Sequence, residues 1–569
     1  MKLGCSRALH QILDVTVYYE QESNILQYQG GNRRMAENKS FKKQTFLQGA
    51  AVLAAATAIV KIIGAIYSIP LANIIGDEGF SYFNKAYQIY EVLLMISTTG
   101  LPVAMSRMIS EAQALERHDQ VRKIYSTALR VFLLLGILGT GGMLLFARPL
   151  SLFVAKTADA QFAIICLSPA VLLICLIAAF RGFFQGQSNM TPTSVSQVFE
   201  ALCKLVIGLG LAWLLLQSTG ELSYSAGGAI LGVTLGLVVS ALYLGACYRK
   251  ASRNLPTGGM VSSTRDTLKQ LLVIAIPITL GSAGLQIINL VDTVVYMNRL
   301  VGAVGFTAEQ ANELSGIYDF CRKIFNLPCA FITPITISII PAITAHLAMK
   351  NNRGVRMVEG SAMRITGLIA MPCAVGLFCL GEPIMLLLRG YSGEKLELAG
   401  LLMALLGVTV IFNSVILVTN AMMQAHGDVT TPVVNMIAGG VVKVIINYFL
   451  VGIPSLNIIG AAIGTLVCYL LIVTMNIIAM HRKKTIDLRS LKGLLKPLLA
   501  AALMGAVAYM ANGFLAAYVP EKLACITAIG AAGVVYVILV VALRVITYDD
   551  CMLLPAGEKI AKILRVRGE

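Results

Sequence analysis

Charge is what this chain has least of. Only 13% of its 569 residues are Asp, Glu, Lys or Arg, against roughly 25% in an ordinary soluble domain. With 57% hydrophobic residues and a mean hydropathy of +0.77, its apolar side chains are too many for one water-surrounded core, and an integral membrane protein follows. Histidine is scarce as well: His10, His118, His346, His426 and His481 lie scattered near predicted helix ends or in the amino tail. There is no His-Glu-x-x-His, no Gly-rich loop ending in Lys-Ser/Thr and no Cys-x-x-Cys, so hydrolytic zinc, ATPase and dithiol chemistry are not expected. Cys166, Cys175, Cys373 and Cys468 sit in apolar runs as small packing residues do. Neither a metal nor an organic cofactor is expected. Acidic residues are also outnumbered, 29 against 45 basic, for a net charge of +16. In a soluble protein that excess would suggest nucleic acid; here the basic residues collect in short loops, as membrane orientation requires, and no nucleic-acid partner is expected.

What is there is a series of apolar runs. A span takes about 20 mainly apolar residues, and on that ruler the sequence predicts an all-α membrane protein of about fourteen helices. They lie near 45–72, 82–106, 126–147, 160–184, 191–217, 225–248, 268–297, 313–345, 360–380, 397–424, 430–452, 458–480, 494–513 and 522–547. With a cytoplasmic amino end, the loops after helices 2, 6, 8 and 12 carry Arg107, Arg117, Arg122, Lys123, Arg249, Lys250, Arg353, Arg356, Arg482, Lys483 and Lys484. Loops assigned outside carry few, among them Lys85, Lys156, Arg299 and Lys522. That bias predicts a multi-pass protein of the cell membrane with both termini cytoplasmic. Residues 1–34 have no signal-peptide order, and the Gly-Gly-Asn-Arg-Arg run before Met35 has the look of a ribosome-binding site read through as protein. Met35 is the expected native start.

The stretch Arg181 to Lys204, RGFFQGQSNMTPTSVSQVFEALCK, returns as Asn420 to Lys443, NAMMQAHGDVTTPVVNMIAGGVVK. In each copy an apolar helix ends in a Gln (Gln185, Gln424), a polar turn follows, and a Pro (Pro192, Pro432) opens the next helix, where its missing N–H costs nothing. A lone Lys (Lys204, Lys443) then sits deep in that helix. The predicted organisation is an amino tail, 1–44; two pseudo-symmetric six-helix lobes, 45–250 and 251–482; and two added helices with a cytoplasmic tail, 483–569. An even number of spans per repeat gives both copies the same orientation.

An ionisable group at membrane depth is a functional hypothesis by default. Lys61 interrupts the first helix near its middle. Glu200 and Lys204 stand at i and i+4, where they can neutralise each other or meet a substrate. In LQIINLVDTVVYM, Asn289 and Asp292 are about a turn apart, and the Asp is either a coupling site for a cation or proton or the partner of a nearby Lys or Arg. Arg322 and Lys323 follow Asp319, and Lys443 precedes Asn447 by one turn. Lys61, Lys204, Arg322 and Lys443 come from both lobes. Facing one another, they would line a cationic cavity suited to a phosphate or diphosphate.

The runs IIGAIYSIPLANIIGDEGF, YQIYEVLLMISTTGLPVAMSRMISEA and RGFFQGQSNMTPTSVSQVFEALCKLVIG, with INLVDT and GIYDFCRKIFNLP, resemble the stage V sporulation protein B and polysaccharide-biosynthesis branch of the multidrug/oligosaccharidyl-lipid/polysaccharide exporter superfamily. That resemblance implies fourteen helices in two lobes that alternate access to a central cationic cavity. It implies a flippase, not an enzyme, for an undecaprenyl-diphosphate-linked precursor such as lipid II or another polysaccharide repeat unit. A cation-coupled multidrug antiporter is the alternative within the superfamily. By position, Lys61 and Arg322 match basic residues that meet the diphosphate in related flippases, whereas Ser68 stands where this branch commonly has a basic residue. Asp292 matches the helix 7 carboxylate of a sodium site, with sodium or a proton as the coupling ion. The last two helices would shelter the polyprenyl tail. Expected partners are the lipid-linked oligosaccharide, membrane lipid and cell-wall synthesis proteins, with the transporter itself a monomer.

Overall fold

The computed structural model describes residues 46–253, 258, 260–483 and 493–546; the expected start at Met35 lies outside them. Among the described residues there is no strand. The first half of the chain forms α1 (Phe46–Thr98), α2 (Gly100–Ala114), α3 (His118–Leu145), α4 (Ala147–Val154), α5 (Gln161–Gly186), α6 (Thr191–Cys203), α7 (Leu209–Thr219) and α8 (Leu222–Arg253). The second forms α9 (Thr264–Arg299), α10 (Ala308–Phe325), α11 (Leu327–Ala348), α12 (Asn352–Cys379), α13 (Gly381–Arg389), α14 (Glu394–Ala425), α15 (Thr430–Leu450) and α16 (Ile459–Arg482). Two more, α17 (Leu495–Ala516) and α18 (Glu521–Ala542), pack on each other and on α12 and α13. Single π-turns, Lys204–Gly208 and Leu300–Val304, follow α6 and α9.

Twelve described helical stretches are long and apolar enough to cross a membrane, and this count does not reproduce the fourteen expected. Two regions depart from the expected boundaries. The span expected at 82–106 and most of the one expected at 45–72 fall inside one helical stretch, Ala55–Ala114. It cannot be one straight pass, because 60 residues at about 1.5 Å each far exceed the roughly 30 Å hydrocarbon core. It breaks at Gly76, whose φ of 67° and ψ of −175° suit only glycine. The span expected at 313–345 divides at Asn326 into α10 and α11. With Glu309, Glu313, Asp319, Arg322 and Lys323, α10 is the polar part of that span, and α11, 22 residues without an Asp, Glu, Lys or Arg, is its apolar part.

The repeated turn is the same backbone device in both copies. After α5, the Asn189 N–H donates to the Phe184 carbonyl at 3.0 Å and the Ser188 N–H to Gln185 at 3.0 Å. After α14, the Asp428 N–H donates to Met423 at 2.9 Å and the Gly427 N–H to Gln424 at 3.0 Å. Ser188 and Gly427 carry the positive φ, 57° and 84°, so each helix ends in a Schellman cap. Pro192 and Pro432 then open α6 and α15.

Helices α3, α5 and α8 pack together in the first half and α12, α14 and α16 in the second. The halves meet where α1 runs against α9, α10 and α11, and where α2 crosses α9. Near the Gly76 break this seam is tight: a Cβ added to Gly316 would lie 1.9 Å from the Asp77 carbonyl oxygen. Arg389, from α13, donates to Asn73 at 3.0 Å and to the Asp77 carboxylate, to which Tyr391 also donates. The Asn73 amide returns a bond to the Leu388 carbonyl at 3.0 Å, and Ser81 donates to Asn312 at 2.9 Å. The outward faces of α17 and α18 remain apolar and exposed, with Met510, Phe514, Val534 and Val537 among them, as lipid contact requires.

Candidate functional site

A cavity of about 540 Å³ opens between α1, α2, α5 and α6, lined in part by Lys61, Tyr67, Tyr87, Arg181, Glu200 and Lys204. Lys61 is exposed, and its ammonium donates to Thr333 of α11 at 3.0 Å, across the seam between the halves. Lys204, at the start of the π-turn, lies against three rings: 4.8 Å from the centroid of Tyr67, 4.9 Å from Tyr87 and 5.6 Å from Phe83. Ring faces hold a cation without neutralising it. Neither Lys61 nor Lys204 makes an ion pair among the described residues. Glu200 does not neutralise Lys204 as its spacing allowed, because it pairs with Arg181 of α5 at 3.3 Å. Arg181 also donates to Ser196 at 3.1 Å. Ser68 turns back on its own helix, donating to the Gly64 carbonyl at 2.8 Å.

Arg322 and Lys443 do not line this cavity; they belong to a second, buried group at the seam. The Lys443 ammonium is 2.8 Å from Asp292 Oδ2, and Asn447 donates to Asp292 Oδ1 at 2.6 Å. Arg322 pairs with Asp319 at 3.5 Å, and its side chain remains 28% exposed. Lys85, expected in an outside loop, is instead fully buried in α1. It donates to Tyr296 and Ser315 and lies 3.9 Å from Asp319. Its surroundings, EGFSYFNK, read as the end of a loop because their polar residues separate the apolar runs expected at 45–72 and 82–106. Asn289 is exposed, bonds Gln286 at 3.3 Å, and does not join Asp292. The four expected cations therefore divide into two bare ones in the cavity and two in ion pairs. Glu91 feels both groups, its charged neighbours including Lys204 as well as Arg322 and Lys323. Sequence reasoning missed Arg181, Lys85 and Glu91, whose partners are all distant in the chain. Among the described residues no cluster of His, Cys, Asp or Glu suits a metal ion.

The described residues form an all-helical bundle of membrane-length helices with Lys61, Arg181 and Lys204 in a cavity of the first half. The polysaccharide biosynthesis protein model matches residues 46–346, and the MatE model matches 277–449. The chain belongs to the polysaccharide biosynthesis protein family of membrane transporters. Three relatives come from Bacillus subtilis (strain 168). The "Uncharacterized membrane protein YabM" is 28% identical, over 94% of this chain and 99% of that one. Stage V sporulation protein B is 24% identical over 90% and 98%. Lipid II flippase MurJ is 24% identical over 74% and 80%. Among solved structures, the lipid II flippase MurJ in an inward closed conformation superposes with a TM-score of 0.65 at 15% identity, covering 87% of this chain and 98% of that one. At that identity the superposition establishes the fold alone.

Proposed function

We propose that this chain flips an undecaprenyl-diphosphate-linked cell-wall precursor, of the lipid II type, from the cytoplasmic to the outer leaflet. Its lobes, 45–250 and 251–482, rock about the seam of α1 with α9 and α10, and both termini face the cytoplasm. The observation that carries this reading is the pair of cavity cations that make no ion pair among the described residues, Lys61 and Lys204. An ammonium left without an ion pair at membrane depth is costly unless an anion arrives to meet it, and a diphosphate offers two negative groups. Arg322, still partly exposed beside Asp319, takes the far side of the diphosphate as the lobes move. Glu200 keeps Arg181 in place rather than touching the lipid. The exposed apolar faces of α17 and α18 cover the polyprenyl tail, and without an ATPase motif the driving force is a gradient, the membrane potential or consumption of the product. The kinship with the lipid II flippase of B. subtilis supports the substrate class.

A second reading, a flippase for another lipid-linked glycan, is favoured by the family's description. A cationic-drug antiporter is disfavoured, because its substrate would meet two bare ammonium groups. The test is complementation of a strain depleted of its own lipid II flippase, using wild type, Lys61→Ala and Lys204→Gln, each checked for membrane insertion. Rescue by wild type alone is expected. Failure of wild type at matched expression transfers the proposal to the other glycan, and rescue by all three refutes the cavity assignment.

A further inference from the structure

The sequence resemblance assigns a coupling cation to Asp292, and the donor set does not fit one. Asp292 is buried, with 3% of its surface exposed. One carboxylate oxygen faces the Lys443 ammonium at 2.8 Å and the other accepts from Asn447 at 2.6 Å. The charge there is already balanced. A free monovalent cation at the same carboxylate would stand within a few ångströms of a fixed positive charge, in surroundings that screen poorly. Arg322 adds to the repulsion, since it acts on Lys443 as a like charge.

The rest of the pocket keeps the oxygen chemistry of a cation site. Asn447 Oδ1 is buried and accepts no hydrogen bond. It faces Gly464, where a Cβ would lie 1.9 Å from it, so the carbonyl is held in place by a position with no side chain. Across α16, Thr465 and the Ala461 carbonyl share the Tyr318 hydroxyl, at 2.7 and 3.2 Å. Lys204, at the matching place in the first repeat, has aromatic rings where Lys443 has a carboxylate. The two repeat lysines have thus taken different work, one left bare in the cavity and one spent on Asp292.

We propose that Lys443 is a tethered cation standing where a coupling metal ion would otherwise bind, so that this transporter has no sodium requirement. Removing the ammonium then opens a sodium-sized site made by Asp292 and the orphaned Asn447 carbonyl. This inference takes from the flippase reading only that the chain is a transporter, and its test needs no lipid substrate. The purified full chain is titrated with NaCl against KCl and choline chloride at constant ionic strength, following thermal unfolding and radioactive sodium binding. Wild type and Lys443→Arg are expected to show no sodium-specific rise in Tm and no saturable binding. Lys443→Asn is expected to start with a lower Tm, to regain it saturably and selectively with sodium, and to bind about one ion per chain, because a ligand that binds only the native state raises its stability. Asp292→Asn with Lys443→Asn should abolish that binding. Saturable sodium binding by wild type or by Lys443→Arg, lost in Asp292→Asn, would overturn the proposal whether or not Lys443→Asn folds. A folded Lys443→Asn that binds no sodium would overturn it too.

Discussion

Replacing Gly316 with Ala places one methyl group where the seam has no room. The added Cβ would fall 1.9 Å from the Asp77 carbonyl oxygen and 3.0 Å from its Cα, both backbone atoms that cannot rotate away. The helices α10 and α1 must separate, and overpacking of this kind costs about 1–3 kcal/mol. Because the two helices come from different halves of the chain, the penalty falls on the seam between them. If the halves rock as proposed, a bias of that size shifts the equilibrium between closed and open seam by about 5- to 150-fold. Gly284→Ala is the control, since its Cβ would meet nothing within 4 Å; both glycines are helical, so the propensity gain of about 1 kcal/mol is common to the two. Amide hydrogen exchange over residues 77–90 and 308–320 reads the opening. Faster exchange in Gly316→Ala but not in Gly284→Ala is expected. Equal exchange in all three proteins would mean that the seam does not close by this contact, and the reasoning from the close approach would fail.

Two other perturbations bear on the same framework. Arg389→Ala strips the buried Asp77 carboxylate of its guanidinium, and breaking one side of a buried pair costs about 3–5 kcal/mol; a lower Tm and faster exchange near Gly76 are expected, whereas Arg389→Lys should restore part of both. In the turn after α14, burial alone would raise the Asp428 carboxyl, but the Lys483 ammonium with the Thr431 hydroxyl and N–H outweighs it and holds the group below its ordinary value. A depressed folded-state pKa contributes stability above the unfolded value of about 3.9 that is lost as pH falls through the folded value. Thermal unfolding from pH 6 down to pH 3 should therefore show a decline that Asp428→Asn removes, by no more than about 1 kcal/mol because Lys483 is half exposed.

The helices were legible because each apolar run is long and because the turns carry their own chemistry. Gln185 and Gln424 mark the last helical turns, Ser188 and Gly427 the left-handed caps, and Pro192 and Pro432 the restarts. The sequence could not say that α1 continues through the Gly76 break, since one glycine between two helices resembles a loop as much as a bend. Hence Lys85 was expected outside and is buried. The charged residues at depth were all visible, but their partners were not. Spacing suggested Glu200 with Lys204 and Asn289 with Asp292; the partners are Arg181 and Lys443, brought in by other helices. Periodicity ranks neighbours along one helix, and the pairing of charges between helices is decided by packing.

The most direct test of the account is equilibrium binding of an undecaprenyl-diphosphate-linked precursor to the purified chain, wild type beside the Lys61→Ala, Lys204→Gln double variant. Each charge-assisted contact to the diphosphate is worth about 1.5–3 kcal/mol, so loss of both predicts an affinity lower by at least about a hundredfold with Tm little changed. An unchanged affinity in a folded double variant would contradict the cationic cavity as the diphosphate site.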